Sequence, residues 1–296
     1  MWVALLVLLI LTGLAVLIGR FPSFGLTRPS VIVSDELARQ LVLNLRLPRI
    51  VAALMLGAVL GTAGLVLQTI FGNPLVEPGL VGVSQGAGFG AALVIVLVGP
   101  SLWLTQSAAA IGALFGLFLS YTVARRIRFG GWILRLILAG IAVSALFSAG
   151  IGLIKYTADP LDQLPAITFW MLGGLWHVDW SQVIPTGAIA VPALLVMIAY
   201  RWRLNLLSLD DRVGFSLGVA TGRERIAMMV VATVGTAAVV SMSGIVSWVG
   251  LVVPNLARRR CGADAQRALP LAAVLGAGLT LVCDTLARTI RPGEIP

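Results

Sequence analysis

The residues able to do chemistry in this chain are few, and they fall in four places. Asp284 lies in a long apolar stretch, four residues before Arg288, so the two share a face if that stretch is helical. An acid at membrane depth is expensive and marks a functional-site candidate, unless it simply pairs with Arg288 or with a backbone donor at a helix crossing. Gln68 is a second polar side chain inside an apolar run. Arg20, Arg28, Arg39, Arg46 and Arg49 gather ahead of that run. The stretch Phe71–Gly82 reads FGNPLVEPGLVG, with two prolines and three glycines between apolar segments. Irregular backbone at a membrane boundary is tolerated where protein or a water-filled path surrounds it. Finally, Leu204–Arg225 is long, amphipathic and too polar to span. Its apolar set of Leu206, Leu207, Val213, Phe215 and Leu217 suits docking onto a partner, or else a helix lying on lipid headgroups.

Several chemistries are missing. The only lysine, Lys155, is followed by Tyr156, so no phosphate-binding loop ending in Lys exists. A single histidine, His177, and no HExxH leave no zinc site, and no GxSxG occurs. Cys261 and Cys283 form no CxxC and read as small helix residues. One carboxylate without partner acids makes a poor proton relay.

The elements that must hold these residues are membrane helices. Of 296 residues, 59% are hydrophobic and 11% charged, with a mean hydropathy of +1.01. A soluble domain carries roughly 25% charge, so composition excludes a soluble enzyme, a nucleic-acid binder and a disulfide-stapled secreted domain. Nine segments approach the ~20 residues a span requires: Trp2–Ile18, Ile50–Phe71, Leu80–Val98, Leu102–Ala124, Trp132–Ile154, Val183–Tyr200, Ile226–Met242 and Leu269–Ala287, with Val249–Ala257 as a half-span. The first has no basic start and no cleavage site, so it reads as a transmembrane helix rather than a signal peptide. The expectation is an all-α polytopic bundle forming one domain over residues 1–296, with 204–225 as a cytoplasmic insertion. Glycines four apart at Gly57/Gly61 and Gly82/Gly86/Gly90, and the small-residue series Gly140, Ser144, Ser148, Gly152, predict close helix approach. Thirteen basic residues fall in the loops of one side and eight on the other, which places the richer side and the N-terminus in the cytoplasm. The net charge of +9 is thus a topology signal, although five arginines in the first outer loop exceed what topology needs.

At several of these stretches the sequence resembles the FecCD family, the permease subunits of importers for iron–siderophore, haem and vitamin B12 driven by ATP-binding-cassette (ABC) ATPases. The resemblance is carried by LRLPRIVAALMLGAVLGTAGLVLQ (45–68), GNPLVEPGLVGVSQGAG (72–88), FWMLGGLWHVDW (169–180), LNLLSLDD with SLGV (204–219), GIVSWVGLVVPNLAR (244–258) and LPLAAVLGAGLTLVCDTLAR (269–288). It implies a type II importer fold in a bacterial or archaeal plasma membrane, with no catalytic residue, metal or cofactor on this chain. Two permease copies would surround a central path. Two separate ATPase subunits would hold ATP and Mg, and a periplasmic or lipid-anchored binding protein would deliver an iron chelate or cobalamin. Arg46, Arg49 and Arg288 match the docking arginines, Asn73 and Leu75 the cytoplasmic gate, and Leu206, Leu207, Asp210, Asp211, Phe215 and Leu217 the ATPase-coupling segment. Asn255 stands where the family usually has His, Gly131–Leu134 is bulkier than the family's gate segment, and the family continues into a tenth helix beyond Pro296. The alternatives are an ATP-independent secondary transporter or channel, for which the spans lack acids, and a membrane scaffold, which would not need the NPLVEP loop.

Overall fold

The structure, a computed structural model, describes residues 1–19, 25–26, 34–209, 216 and 221–290. Arg20, Arg28, Asp210, Asp211, Arg212, Val213, Phe215, Leu217 and Arg291 lie outside the described residues. The helices in chain order are α1 (Trp2–Leu17), α2 (Glu36–Leu41), α3 (Leu47–Phe71), α4 (Val83–Leu97), α5 (Leu102–Arg126) and α6 (Trp132–Thr157), then α7 (Gln163–Leu172), α8 (Trp180–Ala199), α9 (Arg201–Leu207), α10 (Thr221–Ser243), α11 (Val249–Cys261) and α12 (Ala265–Ile290). A π turn over Val42–Arg46 joins α2 to α3, so that Glu36–Phe71 runs as one 36-residue helix. The one strand pairing among the described residues is two residues long, Ile18–Gly19 against Gly25–Leu26.

Among the described residues six helices are long and apolar enough to cross a bilayer: Glu36–Phe71, α5, α6, α8, α10 and α12. Length alone therefore qualifies six of the nine expected segments. The other three are shorter: α1 and α4 are apolar helices of 16 and 15 residues, and α11 has 13.

The axis of the bundle is α3, with 20 of its 25 residues buried. A helix that is apolar on all sides can be covered on all sides. What brings its neighbours close is the absence of side chain. A Cβ on Gly57 would lie 2.0 Å from the Gly276 carbonyl oxygen of α12, and one on Gly64 would lie 2.0 Å from that of Gly250 in α11. Thr280 Oγ1 donates across the α3–α12 crossing to Ala53 O at 2.6 Å. A second seam joins α4 to α5, where a Cβ on Gly86 would meet Gly112 O at 2.3 Å and one on Gly90 would meet Ala108 O at 2.2 Å. Lipid gives helices no hydrophobic reason to associate, so such close contact supplies the attraction. The third expected series divides: Gly140 packs on Leu80 O, whereas Ser148 and Gly152 are exposed and Gly152 meets nothing.

Candidate functional site: a cavity and a loop at opposite ends of one helix

At the end of the bundle where α3 begins and α12 finishes, a cavity of about 1070 Å³ opens. Its charged wall is Arg46, Arg49, Asp284 and Arg288; its aromatic wall is Trp176, His177 and Trp248. Arg49 Nε donates to Asp284 Oδ1 at 2.7 Å, with side chains 19% and 7% exposed. The helical spacing suggested Arg288 as the partner of Asp284. The ion pair instead crosses from α12 to α3, because the Gly57–Gly276 contact lays the two helices side by side. Arg288 turns the other way and donates from Nη2 to Ala15 O (2.6 Å) and Ile18 O (3.2 Å), and Arg46 Nη1 donates to Val16 O at 3.2 Å. The last carbonyls of a helix lack internal partners and carry the negative end of its dipole. Arg46, at the end of the π turn before α3, and Arg288 of α12 therefore cap α1, and both are buried.

The aromatic wall is built by two backbone turns. Gly173 and Gly174 both have positive φ, and Gly174 N donates to Ser243 O at 2.7 Å. A Cβ on Gly244 would lie 2.2 Å from Trp170 O. Trp248 caps the start of α11 at φ 72° and is the only described non-glycine residue in the left-handed region. A bulky side chain there is strained, and such strain collects at functional sites. Trp248 nonetheless remains 68% exposed beside the cavity. His177 sits between α7 and α8 with Nδ1 buried and without a hydrogen-bond partner. Burial holds its imidazole below the ordinary histidine range, aided by Arg49 and opposed by the Met242 backbone and Asp179.

At the other end of α3 lies the Phe71–Gly82 loop. Gly72 ends the helix in the left-handed conformation, and Asn73 Oδ1 accepts from Leu75 N at 2.9 Å, closing a tight turn. Val76 is buried, while Leu75 is 72% exposed at the tip. The buried Gln68 donates from Nε2 to Val76 O at 3.1 Å. Arg258 of α11 donates to Gln68 Oε1 at 2.5 Å and to Thr69 Oγ1 at 3.2 Å. Asn255 donates to Pro74 O (3.3 Å) and Leu251 O (2.9 Å). Asn255, which departs from the resembled family, thus ties the loop to α11.

Near this end, α9 is anchored within the chain. Asn205 Nδ2 donates to Asp264 Oδ1 (2.8 Å) and its Oδ1 accepts from Ala265 N (2.7 Å), joining α9 to the start of α12. Arg203 pairs with Glu224 at 2.6 Å. Leu207 is buried in the core and Leu206 packs against it, so part of the apolar set expected to face a partner is covered internally. Asp210, Asp211, Phe215 and Leu217 lie outside the described residues. Sequence reasoning singled out Arg46, Arg49, Arg288 and Asp284, and the structure brings all four to one cavity. It gave no role to Trp176, His177 and Trp248. The available signal was the pair GGLWHVDW and SGIVSW, aromatic residues beside glycine turns between apolar helices.

A glycine-packed bundle with six helices long and apolar enough to cross a bilayer among the described residues defines the class: a multi-pass membrane protein. The chain belongs to the FecCD transport family, whose description matches residues 5–296. It is 38% identical over 260 residues to the hemin transport system permease protein HmuU of Yersinia pestis, covering 86% of this chain and 77% of the relative. It is 37% identical to the molybdate import system permease protein MolB of Haemophilus influenzae, covering 99% and 88%. A solved structure described as an inward-facing metal-chelate type ABC transporter superposes with a TM-score of 0.91 at 34% identity, covering 100% of this chain and 92% of that one.

Proposed function

We propose that this chain is the membrane permease of an ABC importer, acting as a pair of copies around a central path, with its N-terminus in the cytoplasm and nine membrane segments in one domain. The observation that carries this reading is the pairing of a large cavity with a rigid loop at opposite ends of α3. On this reading the cavity end faces outward and receives cargo from a binding protein. The loop end faces the cytoplasm, with Asn73 setting the turn and Leu75 projecting toward the path. Two separate ATPase subunits bind ATP and Mg and engage the 204–225 segment, while this chain needs no cofactor. Docking by Arg46, Arg49 and Arg288 takes place at the cavity mouth, where a partner's acids compete with Asp284 for Arg49 and with the α1 carbonyls for Arg46 and Arg288. The cargo is an iron chelate or cobalamin, and the likeness to a molybdate permease adds molybdate to the range.

The test is a crosslink. With Cys261 and Cys283 replaced, Leu75→Cys should join two copies in at least one nucleotide state and block uptake. No crosslink in any state, alongside efficient crosslinking from Ser34→Cys, would remove the loop from the axis. Mass spectrometry of a co-purified binding protein would identify the cargo.

A further inference from the structure

Away from the cavity and the loop, a second hollow of about 350 Å³ lies between α5, α6 and α10. Arg125, Arg135 and Arg225 line it together with Tyr121 and Trp132, and no acidic side chain lines it among the described residues. Arg225 is fixed in place: Nη2 donates to Leu207 O (2.9 Å) and Leu209 O (3.1 Å), and its guanidinium stands 5.8 Å from the Trp132 ring. Trp132 is backed by Phe71, with ring centroids 6.4 Å apart. Arg135 Nη1 donates to Ile127 O at 3.1 Å, but its Nε is buried without a partner. Arg125 is exposed, 6.0 Å over the Tyr121 ring.

Arg125 and Arg135 share one hollow as like charges and repel, and the orphaned buried N–H of Arg135 is costly. A phosphate relieves both, since its oxygens match the guanidinium fork. An apolar track leaves the hollow on both sides. Phe118 and Leu114 continue the face of Tyr121 along α5, Val230 continues that of Ile226 along α10, and all four apolar residues are exposed. Basic pockets between membrane helices receive phospholipid headgroups in this way. We infer that this hollow is a binding site for a phosphate ester, filled by the headgroup of an anionic phospholipid whose acyl chains lie on the Phe118 and Ile226 tracks. The sidedness proposed above puts that lipid in the inner leaflet; the site itself does not depend on transport.

Native mass spectrometry of the full-length detergent-purified chain reads this directly, with phosphatidylglycerol, phosphatidylcholine, sn-glycerol 3-phosphate and inorganic phosphate as probes. One phosphatidylglycerol per chain should be retained in preference to phosphatidylcholine. Arg135→Gln should weaken it about tenfold, the size of one charge-assisted hydrogen bond. Arg125→Gln, an exposed position that leaves the fold alone, should weaken it too, and the exposed control Arg259→Gln should not. Equal retention of the two lipids, or unchanged retention in folded Arg125→Gln and Arg135→Gln, overturns the site. Saturable, arginine-dependent binding of glycerol phosphate or inorganic phosphate without lipid selectivity keeps the phosphate chemistry but overturns the lipid as its source.

Discussion

At the cavity end, α3 meets α12 through charge: Arg49 against Asp284, with Arg46 and Arg288 turned onto the carbonyls of α1. At the loop end, α3 meets α11 through amides and hydroxyls, Gln68 and Thr69, with one arginine held by an amide oxygen. The two arrangements respond differently to perturbation. An ion pair inside a membrane protein is strong only while both members are present, because either charge alone is left in a poor solvent. Hydrogen bonds from amides to backbone carbonyls fix position with little dependence on charge, and each is worth about 1 kcal/mol. The cavity end is therefore suited to answer a charged visitor, and the loop end to hold its shape while that happens.

The largest effect is expected from separating the charges. Arg49→Met leaves Asp284 buried with no cation in contact and should cost about 3–5 kcal/mol in detergent unfolding. The double variant Arg49→Met/Asp284→Leu should recover most of that loss. If the double variant is as unstable as the single one, the pair is not what joins the helices at this end. Charge reversal at Arg49 would meet the same difficulty, so a docking measurement is better made through the salt dependence of association.

The next effect lies between the two ends, at the crossing that serves both. Gly57→Ala would place a Cβ 2.0 Å from Gly276 O and 2.2 Å from Thr280 Oγ1, and backbone cannot yield as a side-chain tip can. Overpacking of this kind costs about 1–3 kcal/mol. Gly152→Ala, where a Cβ meets nothing, should be neutral or slightly stabilising. A loss at Gly152 as large as that at Gly57 would mean that close contact with α12 does not set the cost, since Ala is the better helix former at both positions.

These positions also mark how much of the molecule the sequence disclosed. Gly57/Gly61 and Gly86/Gly90 were legible as seams because spacing of four on a helix is a geometric statement. The exposed Gly152 shows the limit: spacing puts small residues on one face but does not say what covers that face. Asp284 was legible as a candidate and its partner was not, since an i,i+4 neighbour is visible in sequence and a cross-helix neighbour 235 residues away is not. The capping of α1 by Arg46 and Arg288 was hidden for the same reason. Trp248 was hidden because a tryptophan at positive φ follows no sequence rule.

A smaller effect is expected at the loop end. Asn255→Ala removes the bond to Pro74 O and should cost about 1 kcal/mol. The loop should then show faster backbone hydrogen exchange at Leu75 and Val76. Exchange unchanged at these two residues would mean that Gln68 and Arg258 hold the loop without Asn255.

The smallest effect separates the two ends by pH. His177 is held below the ordinary histidine value by burial, with Asp179 and Arg49 its nearest charged influences. Below about pH 6.5 an unfolded histidine takes up a proton that the folded cavity resists. The unfolded state then binds more protons than the folded one, so stability falls as the pH drops from that point. Above it both forms are neutral and the contribution is flat. The His177→Gln variant should therefore lose part of the destabilisation seen on mild acidification, read as a shallower fall of thermal midpoint from pH 7 to pH 5. Asn255→Ala should keep the wild-type slope, because Gln68, Thr69 and Asn255 do not titrate and Arg258 keeps its charge throughout that range. A slope that survives in His177→Gln, or one that flattens in Asn255→Ala, would place the titrating groups elsewhere and remove the electrostatic distinction between the two ends.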